Sequence, residues 1–263
     1  MTDMDRPNNN RSLDRWLPFI VTFLFLGIWE WLAQSEKISV IFFPPPTMIG
    51  SVLWKLLVGG ELIRNALISL SRILLGTIFG IFPGLLLGLA MGWLPRLRSF
   101  SDPFIAAIHP IPKIAIFPLI LIIFGIGETS KIVAISIGAF FPMLINSMAG
   151  VLDMPSVYFD VAENYGANRW KTFTRVILPG SLPMVLAGAR IALNMALVIT
   201  VAVELLIARE GLGVMIWYAW ETLRVSELYA TLIIIAILGI AINFVLGRLS
   251  WHLIPWYTSK STK

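Results

Sequence analysis

Three uncharged apolar runs dominate the chain. Residues 73–95, 132–152 and 228–247 each continue for about 20 residues without an ionisable side chain, the length a helix needs to cross a bilayer core. No water is available there to satisfy backbone groups, so the pattern predicts helices. Three less uniform crossings complete the set. Residues 17–33 form the first, with Glu30 near its outer end and Trp16, Trp29 and Trp31 as interfacial anchors. Residues 103–127 form the third and carry His109, Pro110, Pro112, Lys113 and Pro118. The missing amide donors of those prolines predict a broken helix lining a cavity. Residues 183–208 form the fifth and hold Arg190, Asn194 and Glu204. The fold class is all-α, a polytopic membrane protein with about six transmembrane helices.

Between the first two crossings, the run from Phe43 to Thr47 contains three prolines that stop any helix, and Thr47 is the expected N-cap of a short one through Val58. A similar short helix is expected over 214–223, where Trp217, Tyr218 and Trp220 suit a membrane interface. No internal repeat, low-complexity tract or separate soluble domain is visible. Residues 1–16 read as a cytoplasmic N-terminal segment, 17–255 as one transmembrane domain containing a polar loop at 153–179, and 256–263 as a cytoplasmic tail. The first apolar run has no small-residue cleavage site after it and is expected to remain as a membrane span.

Basic residues set the expected orientation. With the N-terminus inside, the inner segments hold Arg6, Arg11, Arg15, Arg96, Arg98, Arg169, Lys171, Arg175, Lys260 and Lys263. The outer ones hold Lys37, Lys55, Arg64, Lys131, Arg209 and Arg224, so the count is ten against six. This places the 153–179 loop and both termini in the cytoplasm. The net charge of +5 reflects that topology, and bases scattered over loops give no nucleic-acid surface.

Composition removes other chemistries. Only 13% of the residues are charged, against roughly 25% in globular chains. Cysteine is absent, which leaves no disulfide or thiolate metal site, and the two histidines do not have zinc-helix spacing. No Gly-Lys dipeptide occurs, so a phosphate-binding loop of the G-x-x-x-x-G-K-[ST] type is excluded. No catalytic constellation is visible.

The polar island at 160–179 is the most specific feature. Its first half predicts a short helix over 156–165 with Val157, Val161 and Tyr165 on one side. Gly166 suits a left-handed helix end, Asn168 an N-cap, and Pro179 a stop after a second helix through Phe173 and Val176. The spacing is Asp160-Val161-Ala162, three residues, Gly166, nine residues, then Val176, Leu178 and Pro179. It resembles the EAA signature of the membrane permease subunits of bacterial ATP-binding-cassette importers, with Asp for Glu at 160 and Val for Ala at 161. The run from His109 to Pro118, Phe124 to Glu128, Arg190 to Leu193, and Glu204 with Gly211-Leu212-Gly213 are similar to the nitrate, sulfonate, taurine and bicarbonate branch, nearest the aliphatic-sulfonate permeases.

That resemblance implies a type I importer permease fold with a cytoplasmic coupling helix, whose matching positions are Asp160, Ala162, Glu163, Gly166, Ala167, Arg169, Val176, Leu178 and Pro179. It implies a place in the bacterial cytoplasmic (inner) membrane, a homodimer, two cytoplasmic ATPase subunits that bind ATP and Mg²⁺, and an extracytoplasmic substrate-binding protein. No cofactor is expected in this chain. Charges at membrane depth cost about 2.5 kcal/mol or more and normally face protein or a cavity. Arg72, His109, Lys113, Arg190, Asn194 and Glu204 are therefore the candidates for a path carrying a small oxyanion. Arg190 and Asn194 share a helix face; Glu204 lies near that face but too far along the axis to pair with Arg190. The rival reading is an ion-coupled secondary transporter using Glu204 or Glu30.

Overall fold

A computed structural model describes residues 11–254, and side chains from Trp16 onward. Arg6, Lys260, Lys263, most of the N-terminal segment and the 256–263 tail lie outside the described residues. The chain folds into α1 (Arg11–Gln34), α2 (Pro46–Val58), α3 (Glu61–Trp93), α4 (Pro95–Ile108), a 3₁₀ turn at Lys113–Ile116 and α5 (Phe117–Phe124). There follow α6 (Glu128–Leu152), α7 (Val157–Asn164), α8 (Arg169–Thr172), a π turn at Phe173–Ile177, α9 (Leu178–Ile207), α10 (Leu212–Glu221) and α11 (Val225–Leu253). Among the described residues five helices are long and apolar enough to cross a membrane, and the pair 95–108 and 113–124 makes a sixth when its two halves are counted as one span.

That sixth crossing differs from the single span expected over 103–127. It starts at Pro95, because Leu94 is held extended (φ −110°, ψ 97°) by the proline that follows and the proline then opens α4. It bends by 86° between its halves, where Pro110 and Pro112 deny the backbone the donors a straight helix needs.

The core is a three-helix stack of α3, α6 and α9. α3 carries glycine at 76, 80, 84, 88 and 92, one per turn on a single face. A Cβ on Gly84 would stand 2.7 Å from the Phe140 carbonyl oxygen, and one on Gly92 would stand 2.6 Å from Val151 Cβ. Gly76 lies against Ile135 and Gly88 against Ser147, so α3 and α6 run parallel with their backbones in near contact. Lipid tails give helices no hydrophobic reason to associate, and this approach supplies the dispersion contact that does. Ile73, Phe117, Ile120, Ile135, Ile199 and Val203 fill the adjoining core. α9 runs antiparallel to α6, since Gly138 meets Ile199 while Gly150 meets Ser181. The four-residue glycine period is a repeat that the hydropathy pattern does not reveal.

The stack therefore has a loop end, at Trp93, Leu152 and Leu178, and a far end, at Glu61, Glu128 and Ile207. Two local expectations change there. Thr47 does not cap α2; Pro45 precedes the helix, and the Glu30 carboxylate of α1 accepts from Thr47 N at 3.0 Å and Thr47 Oγ1 at 2.6 Å. Pro179 does not stop a helix either. It lacks an amide donor and its ring crowds the carbonyl four residues back, but the π turn at 173–177 widens the preceding turn so that α9 continues from it.

Candidate functional site

At the loop end, α7 and α8 form the expected helix–turn–helix. Gly166 has φ 67°, and its amide donates to the Glu163 carbonyl at 2.9 Å while Ala167 N donates to Ala162 O at 2.9 Å. That pair of bonds is a Schellman closure, which satisfies the last carbonyls of α7 and needs a left-handed residue at 166. Asn168 Oδ1 accepts from Lys171 N at 2.8 Å and caps α8. Ala162 is buried beneath the turn, whereas Val157, Tyr158, Val161, Tyr165 and Trp170 are exposed, Tyr165 to 88%. Asp160, Glu163 and Arg169 are exposed beside them, Ala167 and Val176 are half-buried, and Leu178 and Pro179 sit where the segment enters α9. Trp93 packs on Phe173 at 5.6 Å between ring centres, which ties the segment to the end of α3.

At the far end, the structure brings together two path candidates and several groups that sequence reasoning missed. Glu204 is fully buried; Arg72 Nη1 donates to its Oε1 at 2.7 Å, Ser69 Oγ to Oε2 at 2.8 Å, and Gly213 N to Oε2 at 2.9 Å. The rest of the Arg72 fork grips Glu128, with Nε and Nη2 at 2.8 and 2.7 Å, and Nη1 also donates to the Glu210 carbonyl at 2.6 Å. Lys131 joins Glu128 at 2.6 Å, and Asn65 Oδ1 accepts from Gly211 N at 2.7 Å. Gly211 (φ 127°) passes so close to the Glu204 carboxylate that no side chain fits. The network fastens α3, α6, α9 and the turn into α10. Its sequence signals are Arg72 and Glu204 as charges beside or within apolar runs and the nearness of Glu204 to Gly211 and Gly213; nothing marks Asn65, Ser69 or Lys131.

The other candidates lie elsewhere. Lys113 Nζ donates to the carbonyls of His109 at 2.7 Å, Ile111 at 2.9 Å and Ile108 at 3.3 Å, and lies 4.4 Å from the Phe141 ring centre. It thus closes the carbonyl end of α4 at the bend. His109 is exposed with its ring 5.5 Å from that of Phe141. Arg190 and Asn194 are both exposed on α9, and Asn194 Oδ1 accepts from Asn243 of α11 at 2.9 Å. Glu204 and Arg190 do not meet.

Known proteins are similar to this chain along most of its length. The chain is 37% identical over 242 residues to the taurine transport system permease protein TauC of Escherichia coli (strain K12), covering 89% of this chain and 87% of that one. It is 31% identical to the putative aliphatic sulfonates transport permease protein SsuC of Bacillus subtilis (strain 168), over 90% and 86% of the two chains. It is 26% identical to the nitrate import permease protein NrtB of Leptolyngbya laminosa, over 93% and 90%. Among solved structures, the inward-facing MetNI methionine ABC transporter superposes with a TM-score of 0.66 at 20% identity, covering 74% of this chain and 97% of that one, a likeness of fold. Residues 76–259 match the family described as binding-protein-dependent transport system inner membrane component, and the chain belongs to that family.

Proposed function

We propose that the chain is the membrane subunit of an ATP-driven importer for a small oxyanion, with an organic sulfonate such as taurine as the leading cargo and nitrate or bicarbonate as the others. The relatives that carry taurine and sulfonate names support the cargo class. In this reading two copies enclose the path. A binding protein delivers cargo at the far end, and two separate ATPase subunits, which hold ATP and Mg²⁺, grip the loop end. The termini and the loop then lie in the cytoplasm, in keeping with Arg169, Lys171 and Arg175 on that side.

One observation carries the reading. The α7–α8 turn is closed at both joints by hydrogen bonds, yet it leaves Val157, Val161, Tyr165 and Trp170 uncovered. A rigid element with an exposed apolar stripe is suited to seat in a groove of another protein. Motion of that partner would pass through α8 and the π turn directly into α9, because no loop interrupts residues 169–207. The ion-coupled alternative is disfavoured, since Glu204 is occupied by Arg72, Ser69 and Gly213 and Glu30 by Thr47. The test is isolation of the complex from native membranes. An ATPase bearing a phosphate-binding loop should co-purify with the wild-type chain and be lost from a Val161→Asp/Tyr165→Asp variant. A chain that purifies alone in both forms overturns the reading.

A further inference from the structure

Arg190 and Asn194 stand at the middle of α9 (Leu178–Ile207). Gly188 lies against Pro142 and Asn146, its Cβ position 3.3 Å from the Pro142 carbonyl oxygen, and Pro142 is just past the midpoint of α6 (Glu128–Leu152). Arg190 is one half-turn further, about 18 Å from the start of α9 at 1.5 Å per residue. Both side chains are exposed, and Arg190 has no ion-pair partner among the described residues. A cation facing hydrocarbon at that depth is disfavoured, so the face is suited to a polar interior rather than lipid.

The hydrogen bonds fix what this face offers. Asn243 Nδ2 donates to the Gly239 carbonyl at 2.9 Å, and a carbonyl can only accept, so the NH₂ end of the Asn243 amide is settled by the backbone. The same NH₂ donates to Asn194 at 2.9 Å, which obliges Asn194 to turn its oxygen toward α11. Its own NH₂ is thereby turned away and has no hydrogen-bond partner among the described residues. One turn earlier on the same face is the Arg190 guanidinium, a fork of donors with no acceptor. The only fully free acceptor of the three side chains is Asn243 Oδ1.

Resting on the importer reading above, we infer that Arg190 and Asn194 form a mid-membrane subsite for the anionic head of the cargo, a sulfonate or other planar or pyramidal oxyanion, and that Asn243 is the positioning residue that turns Asn194 into a donor. Two or three acceptor oxygens on one centre match a guanidinium fork beside an amide NH₂. A cationic cargo would meet the same fork as repulsion. Neither the Arg72 nor the Lys113 cation competes for this role, since each is held by protein oxygens.

The test uses the whole complex in proteoliposomes, with taurine, an alkanesulfonate and nitrate as probes, reading ATP-dependent uptake and binding-protein-stimulated ATP hydrolysis separately. Failure of the wild type to take up any probe defeats the importer reading for oxyanions, and this inference with it. Given wild-type uptake, Arg190→Met and Asn194→Asp should each cut uptake by about tenfold or more, the effect of losing ~1.4 kcal/mol of anion recognition, while stimulated hydrolysis persists. Arg190→Lys should restore part of the loss. Asn243→Leu, which releases the Asn194 amide, should lower uptake less than Asn194→Asp does. Uptake unchanged in both Arg190→Met and Asn194→Asp overturns the subsite. So does parallel loss of uptake and hydrolysis in Arg190→Lys, which would mark Arg190 as structural.

Discussion

The fold depends on a few side chains whose surroundings admit no substitute. Arg72 and Glu204 are buried together, so removing one leaves the other as an uncompensated buried charge. Arg72→Met should destabilise the protein by about 3–5 kcal/mol, read as a lowered unfolding temperature in detergent. Adding Glu204→Gln should recover part of it, because the second change removes the stranded carboxylate. Gly211→Ala belongs to the same site and should fail in a different way. Its Cβ would occupy the place of the Glu204 carboxylate at φ 127°, so the expected result is loss of folded protein rather than a graded shift. A mild effect of Gly211→Ala would mean that the turn into α10 can relax away from α9. Arg72 and Glu204 were conspicuous in the sequence as charges in apolar runs. Their pairing was not, because 132 residues separate them and no local period relates positions so far apart.

At the scale of elements, hydropathy locates the crossings well and their internal construction poorly. Spans around 73–95, 132–152 and 228–247 are legible because lipid requires uninterrupted apolar length. The bend at 109–112 is legible too, since each proline removes a donor. The outcome at Pro179 is not: the same rule that predicts a stop also permits a widened turn, and tertiary packing of Phe173 on Trp93 favours the second. The parallel contact between α3 and α6 was written as glycine every fourth residue, a signal of shape that a hydropathy scale scores as neutral. Gly84→Val should force the two backbones apart and lower stability by about 1–3 kcal/mol, the range for overpacked cores. Gly27→Ala on α1, where the added carbon meets nothing within 4 Å, should change stability by less than about 0.5 kcal/mol. Equal effects at the two positions would refute the account of the α3–α6 contact.

For the whole molecule, three features are separated along the length of the helix stack. The far end is locked by the Arg72 network, the middle carries the exposed Arg190–Asn194 face, and the loop end presents a stiff apolar stripe joined without a break to α9. The loop's motif was legible residue by residue because its turn has strict backbone demands at Gly166 and Asn168. Cargo identity was not, since recognition of an oxyanion requires only a few donors placed by packing. Gly166→Trp keeps the apolar spans intact and so should still insert, but it places a side chain in the left-handed turn at φ 67° and on the face proposed to meet the ATPase. The measurement that bears most directly on the central claim is uptake of labelled taurine by proteoliposomes containing this chain, its ATPase and its binding protein, with wild type and Gly166→Trp compared. Uptake that requires ATP hydrolysis, ignores an imposed proton or sodium gradient, and falls about tenfold or more in Gly166→Trp is the predicted result. Uptake driven by an ion gradient without the ATPase, or undiminished in Gly166→Trp, would contradict it.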